Sequence, residues 1–359
     1  MITLPQLLKV MLDNQASDMH ISAGSPPSFR VVGAITRAKL APLTAPETKE
    51  LCYSVLTETQ KALLEEKRQI DLSFGIRELA RFRANIFYQR GTISGAFRHI
   101  PFEIPKLASL GFPPAVNNLI LKPKGLVLVT GATGSGKSTT LASLINELNE
   151  KERLHIITVE DPIEYIHSHS KCLVNQREIG VDAVSYSDAV KAALREDPDV
   201  VLIGEMRDRE TIETALTLAE TGHLVLSTLH TNGAYQTINR IVQAFPNEHQ
   251  DRVKMQLSMV LEGILSQVLL EKSDKKGRAL ALELMLPNHS IRNLIRENKI
   301  FQIPSAMRVG QEQTGMITMN QSLASLISRR LINLDTAAEA SPDPEELIKI
   351  VASQERKAG

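Results

Sequence analysis

The sequence predicts an α/β fold, with a doubly wound, mostly parallel sheet preceded by a smaller α+β domain. Past residue 117, short apolar strands alternate with helical stretches, the pattern that builds parallel βαβ units. A glycine-rich turn separates the first of those strands from the first helix. Before residue 100 the pattern differs, with period-two strand alternation mixed with two helical stretches. A chain of 359 residues accommodates two such domains and a substantial core.

Leu4, Leu7, Leu8, Met11 and Leu12 recur at helical spacing, so residues 3–14 read as an amphipathic helix. Short strand-like pieces follow, punctuated by Gly24, Pro26, Pro27 and Gly33, and a second helix is expected from about Glu47 to Lys67. Over residues 81–98, Arg81, Arg83 and Asn85 alternate with Phe82, Ala84 and Ile86, as on the two faces of a strand. Residues 1–100 therefore read as one domain. The next stretch, 101–116, holds Pro101, Pro105, Pro113 and Pro114 without periodicity and reads as a linker. Residues 117–359 form the second domain. Its strands are expected at Gly125–Val129, Ile156–Val159, Val200–Ile203 and Leu224–Leu226, with helices from Lys137 to about Leu148 and from about Arg209 to a stop at Gly222. Beyond residue 290 the pattern is mainly helical.

Composition narrows the function. Lys+Arg and Asp+Glu are each 41, and this balance argues against a broad nucleic-acid surface. No apolar run approaches the roughly 18 residues of a membrane span, and Met1-Ile2-Thr3-Leu4-Pro5 lacks the basic start of a signal peptide. Cys52 and Cys172 are too few for a disulfide framework or a four-thiolate zinc site. A soluble, cytosolic protein is expected. His167, His169 and Cys172 lie close together but offer no fourth ligand, so they read as a solvated loop.

Gly131-Ala132-Thr133-Gly134-Ser135-Gly136-Lys137-Ser138-Thr139 is a Walker A loop between strand and helix. Glycines let backbone N–H groups turn toward phosphate oxygens, and the helix N-terminus adds its positive end. Lys137 is placed to reach the β- and γ-phosphates of ATP, and the Ser138 hydroxyl to ligate Mg²⁺. Three polar segments at strand ends follow: Thr158 to Tyr165, containing Glu160, Asp161 and Glu164; Asp199 to Asp208, shaped like a Walker B strand; and Gly222 to Thr231, containing His223 and His230. In parallel sheets, ligands lie beyond the carboxyl ends of the strands. Gly204 stands where a Walker B strand carries its Mg²⁺-binding aspartate, which leaves Glu205 to serve the metal through water; Asp199 lies too early.

These segments resemble the Walker A, Asp-box, Walker B and His-box motifs of the secretion and pilus motor ATPases. Ala16-Ser17-Asp18-Met19-His20, Lys171 to Glu178, Ala193 to Asp199, Leu265-Ser266-Gln267 and Ile291-Arg292-Asn293-Leu294-Ile295-Arg296-Glu297 resemble the family's pilus-retraction branch. Met19 and Ser290 are substitutions in those patterns. The extension and type II secretion relatives carry a four-cysteine motif that two cysteines cannot supply.

The resemblance implies a RecA-like P-loop domain, a PAS-like N-terminal domain and a helical C-terminal part. It implies an Mg²⁺-dependent ATPase acting as a homohexamer that drives pilus retraction, the alternatives being an accessory retraction motor or an extension or type II secretion ATPase. Glu164 is then the candidate general base and Glu205 the metal carboxylate, two roles open to exchange. His230 would sense the γ-phosphate, and Arg81 and Arg83 would approach the nucleotide as charge-neutralising arginines. Partners would be the inner-membrane pilus platform protein and sibling pilus ATPases, with no nucleic acid. The location would be the cytoplasmic face of the inner membrane, peripheral to the bilayer. Arg292 and Arg296, one helical turn apart, read as an exposed cationic face or a docking surface.

Overall fold

The computed structural model describes residues 2–31, 33–76, 79–100 and 103–358. They form two compact units, one running to Glu103 and taking in Pro162–Ile166, the other comprising Ile104–Asp161 and the chain from His167 onward.

In the first unit, α1 (Leu4–Asp13) buries Leu4, Leu7, Leu8 and Met11, while Leu12, also on the expected stripe, is half-buried. Strands β1 (Asp18–Ile21), β2 (Ser28–Val31) and β3 (Ala34–Arg37) follow, then α2 (Ala45–Tyr53) and α3 (Glu58–Lys67), then β4 (Gln69–Ile76), β5 (Ala80–Gln89) and β6 (Thr92–Ile100). The strands form one antiparallel sheet in the order β3-β2-β1-β6-β5-β4. Phe82, Ala84 and Ile86 face its core, as the alternation requires. Asp18 ties β1 to β6 through a 2.8 Å bond from Arg98 Nε. Burial disfavours its charge, but hydrogen bonds from Ser17 and Arg98 outweigh that and hold the carboxyl below the ordinary range.

The single helix expected from Glu47 to Lys67 is two. Thr57 accepts the Gln60 N–H at 3.3 Å, and the Gln60 side chain accepts the Thr57 N–H at 3.0 Å. This capping box starts a new helix and satisfies donors that a continuous helix would leave to the preceding turn. The β5–β6 hairpin turns on Arg90 (φ 50°) and Gly91 (φ 77°), a left-handed pair matching strand twist. In the stretch read as a linker, Pro101 and Phe102 lie outside the described residues, and the chain from Ile104 counts with the second unit. There Leu107 and, on α4 (Ala115–Ile120), Val116 are fully buried.

The second unit continues with β7 (Gly125–Thr130), α5 (Lys137–Lys151), β8 (His155–Glu160), β9 (Leu173–Glu178), α6 (Tyr186–Ala193), β10 (Val200–Ile203), α7 (Arg209–Glu220) and β11 (Leu224–Leu229). Next come α8 (Ala234–Gln243), α9 (Asn247–Val260), β12 (Leu261–Glu271) and β13 (Arg278–Met285). The chain ends in α10 (His289–Arg296), α11 (Ile303–Met307), α12 (Gln311–Thr314), α13 (Met319–Ser328), α14 (Leu334–Ala340) and α15 (Pro344–Ala358). The sheet order is β13-β12-β7-β11-β10-β8-β9, parallel except for the β12–β13 hairpin. All six residues of β7 and of β11 are buried, as expected for central strands covered on both faces. Helices α4 and α5 cover one face. Helices α6 to α10 pack against the other. The carboxyl ends of β7, β11, β10 and β8 therefore lie side by side.

Candidate nucleotide site

The loop between β7 and α5 turns through Gly131 (φ 140°), Gly134 (φ 80°) and Gly136 (φ 91°), conformations that side-chain-bearing residues rarely adopt. A Cβ at Gly131 would stand 2.3 Å from the Gln267 carbonyl oxygen and 2.6 Å from Ser135 Oγ, so only glycine fits. Lys137, the first residue of α5, is buried, and its ammonium donates to the carbonyls of Gly131 at 2.8 Å and Ala132 at 2.9 Å. Ser135 Oγ is buried with no partner among the described residues. Glycine-allowed turns, a lysine at a helix N-terminus and an unsatisfied hydroxyl match the needs of bound phosphate. Ser138 and Thr139, on the first turn of α5, are half-buried, while Ala132, Thr133 and Gly134 are exposed. Behind the loop, Gln267 Nε2 donates to Thr140 Oγ1 at 2.9 Å and ties α5 to β12. Gln267 of the Leu265-Ser266-Gln267 motif thus supports the loop.

At the end of β10, Glu205 accepts a bond from Arg207 Nε at 2.8 Å on one oxygen, and His230 Nε2 lies 3.4 Å from the other. Thr228 on β11 donates to the Gly204 carbonyl at 2.6 Å and locks the two strand ends together. One strand over, Glu160 accepts from Thr158 Oγ1 at 2.7 Å and from Gln176 Nε2 of β9 at 3.3 Å. The carboxylates of Glu205 and Glu160, with the Ser138 hydroxyl, are hard oxygen donors of the kind Mg²⁺ selects. His223 sits at the other end of β11, where its Nδ1 lies 3.0 Å from the Leu218 carbonyl near the end of α7. Asp199 is likewise remote from the cluster; it accepts the His155 N–H at 2.8 Å at the start of the strands.

Gly204 has a steric cause. A Cβ there would lie 2.9 Å from the Tyr186 hydroxyl and 3.2 Å from the Val159 carbonyl oxygen. The phenol occupies the space a Walker B aspartate would need. Burial pushes the Tyr186 hydroxyl well above its ordinary range, and the carboxylates of Asp161, Glu160 and Glu205 add to the shift. Tyr186 carried no motif signal in the sequence, and Arg207 lies inside the Walker B-like segment without being singled out by it.

Three expected residues belong to the first unit. Glu164 is half-buried in the segment Pro162–Ile166. Arg81 donates to Ser73 Oγ at 2.6 Å, and Arg83 lies 3.9 Å from Asp71, both across the β4–β5 ladder. The His167–Cys172 stretch is less solvated than its polarity suggested. His167 and Cys172 are buried, with Cys172 Sγ 3.2 Å from the Glu152 carbonyl. No group of three metal-capable side chains occurs among the described residues.

A glycine-rich loop opening a helix, with carboxylates at the ends of neighbouring parallel strands, defines a P-loop ATPase. The chain belongs to the Type II/IV secretion system protein family, whose model it matches over residues 3–327. It is similar to the type IV pilus retraction ATPase PilT of Pseudomonas aeruginosa, at 45% identity over 95% of this chain and 99% of that one. A solved structure of the pilus retraction motor PilT with bound ADP superimposes with a TM-score of 0.92 at 52% identity, covering 97% of this chain and 100% of that chain. The Legionella pneumophila ATPase DotB superimposes at 0.82 with 29% identity, over 95% and 97%. The α/β architecture expected from the sequence is the one these relatives share. Among the described residues no helix is long and apolar enough to cross a membrane.

Proposed function

We propose that this chain is an Mg²⁺-dependent, ATP-hydrolysing homohexameric motor that drives type IV pilus retraction from the cytoplasmic face of the inner membrane. The observation that carries the reading is the placement of the Lys137 loop beside the Glu205–Arg207–His230 cluster, in a chain 45% identical to a pilus retraction ATPase.

Lys137 turns from its loop carbonyls to the β- and γ-phosphates and offsets charge that grows in the transition state. Ser138 and Glu205 would hold Mg²⁺, Glu205 through water, and the metal would supply further charge neutralisation to the phosphates. Glu164 orients the attacking water and takes its proton. His230, on the Glu205 carboxylate, reports the γ-phosphate to the β10 end, and Arg81 and Arg83 complete the charge balance. Subunit closures are passed to the inner-membrane platform protein, alongside sibling pilus ATPases.

Purified wild-type protein is expected to hydrolyse ATP with Mg²⁺, and Lys137→Ala to lose two orders of magnitude or more, about 3–4 kcal/mol of transition-state stabilisation. Deleting the gene is expected to leave abundant pili and no twitching. Loss of pili on deletion would assign the chain to extension instead, and intact twitching would remove it from the role of principal retraction motor.

A further inference from the structure

On the sheet face opposite α5, a cavity of about 530 Å³ lies among β12, β13, the start of α8, the C-terminal helices and Ala132 of the phosphate loop. That volume suits a small organic ligand. Strand alternation separates it from the phosphate loop's support: Gln267 bonds to Thr140 of α5, whereas its neighbour Ser266 turns the other way and lines the cavity. Ser266 is 1% exposed, and its hydroxyl has no partner among the described residues. Gln236 Oε1, also on the lining, is buried and equally unpartnered.

Glu283, paired with Ser266 across the β12–β13 ladder, sits at the same wall. Its carboxylate accepts the Ala234 N–H at 2.7 Å and a backbone bond from Met319, at the starts of α8 and α13. Of the other charged lining residues, Arg308 pairs with Glu346 at 2.7 Å, which leaves Glu339 and Asp343 as an acidic rim, while burial raises the Glu283 carboxyl above its ordinary range. Val268, Met307 and Met319 supply apolar wall. Two unsatisfied buried groups, a carboxylate and an acidic rim ask for a donor-rich cation on an apolar stem.

We propose that this cavity, which borders the phosphate loop at Ala132, is a second ligand site that takes a small organic cation of the alkylguanidinium class. The head group bonds to Glu283, Ser266 and Gln236, and the stem lies along Val268 and Met319.

The test is calorimetric titration of the full-length protein with n-butylguanidinium and with n-butylurea, its uncharged counterpart of the same shape. The guanidinium is expected to bind at least tenfold more tightly, and to bind equally well in saturating ADP. Ser266→Leu, which fills the cavity, should abolish binding, and the exposed Glu339→Gln should weaken it severalfold; melting curves verify that both variants fold. Glu283→Gln is avoided as the sole test because Glu283 also holds two helix starts. Absence of guanidinium binding, equal affinity for the two probes, displacement by ADP, or unchanged affinity in folded Ser266→Leu would each overturn the proposal.

Discussion

Arg292 and Glu262 form a half-buried ion pair, with Arg292 Nη2 2.9 Å from the Glu262 carboxylate. The same guanidinium donates through Nη1 to the carbonyls of Ser258 at 2.8 Å and Met259 at 3.1 Å, in the last turn of α9. Arg292 thus caps α9 and fastens α10 to the α9–β12 junction, whereas Arg296 is exposed and contacts only Asn293 in its own helix among the bonds described. The two arginines that share a spacing of four do different work. Arg292→Ala should lower the unfolding free energy by about 1–2 kcal/mol, since it removes the donor to two helix-end carbonyls and leaves Glu262 with Lys122 alone, at 3.3 Å. Arg296→Ala should change it by less than about 0.5 kcal/mol. Denaturant unfolding of both variants checks this, and equal losses would refute the distinction.

That contrast shows what the sequence makes legible. The loop from Gly131 to Thr139 and the βα alternation around it are local signals, written in neighbouring residues, and they appear where expected. The β12–β13 hairpin was not foreseen, because β12 follows α9 without a turn signal and pairs with β7 from far along the chain. Gly263 shows the constraint: a Cβ there would lie 2.8 Å from Leu119. The helix break before Glu58 was readable in Thr57 and Gln60. Tyr186 against Gly204 was not, because it depends on a helix and a strand end brought together only by the fold, and Arg207 on Glu205, though only two residues away, turns on how the chain bends past the end of β10.

The Tyr186–Gly204 contact predicts a coupled pair. Gly204→Ala places a methyl group 2.9 Å from the phenol oxygen, an overpacking that should destabilise the protein by about 1–3 kcal/mol. Tyr186→Phe removes that oxygen, so Gly204→Ala made in the Tyr186→Phe background should lose less, though the Val159 carbonyl still crowds the site. A double-mutant cycle by thermal or denaturant unfolding measures the interaction. Strict additivity would mean that Tyr186 is not what keeps position 204 small.

The exchangeable carboxylates can be separated by binding and turnover measured together. Glu205→Gln keeps the volume and hydrogen-bonding reach toward Arg207 but loses charge, and should weaken Mg²⁺-dependent nucleotide affinity by about tenfold as well as hydrolysis. Glu164→Gln should leave that affinity near wild type and lower turnover by about a hundredfold or more. Fluorescent-nucleotide titration with and without Mg²⁺, beside phosphate-release rates, decides it. The reverse pattern would exchange the roles, and full activity in Glu164→Gln would remove it as the base.

His167 gives a pH-dependent prediction with a definite sign. Its side chain is buried in the second unit, and burial pushes the imidazole from its ordinary 6.5 down to about 4. The backbone N–H of the same residue is held by Gln176, which also bonds Glu160, so His167 anchors the strand bearing that carboxylate. Because the native state keeps the ring neutral, its contribution is fully present above pH 6.5. As pH falls below that value, the unfolded chain takes up a proton that the folded chain refuses, and stability drops until the folded group titrates near pH 4. The full span corresponds to about 3 kcal/mol. His167→Gln cannot titrate, so wild type should lose about 2–3 kcal/mol more than the variant between pH 7 and pH 4.5, all other groups being common to both. Urea unfolding of the two proteins across that range measures the difference. Parallel stability curves would show that the imidazole is free to protonate in the folded protein.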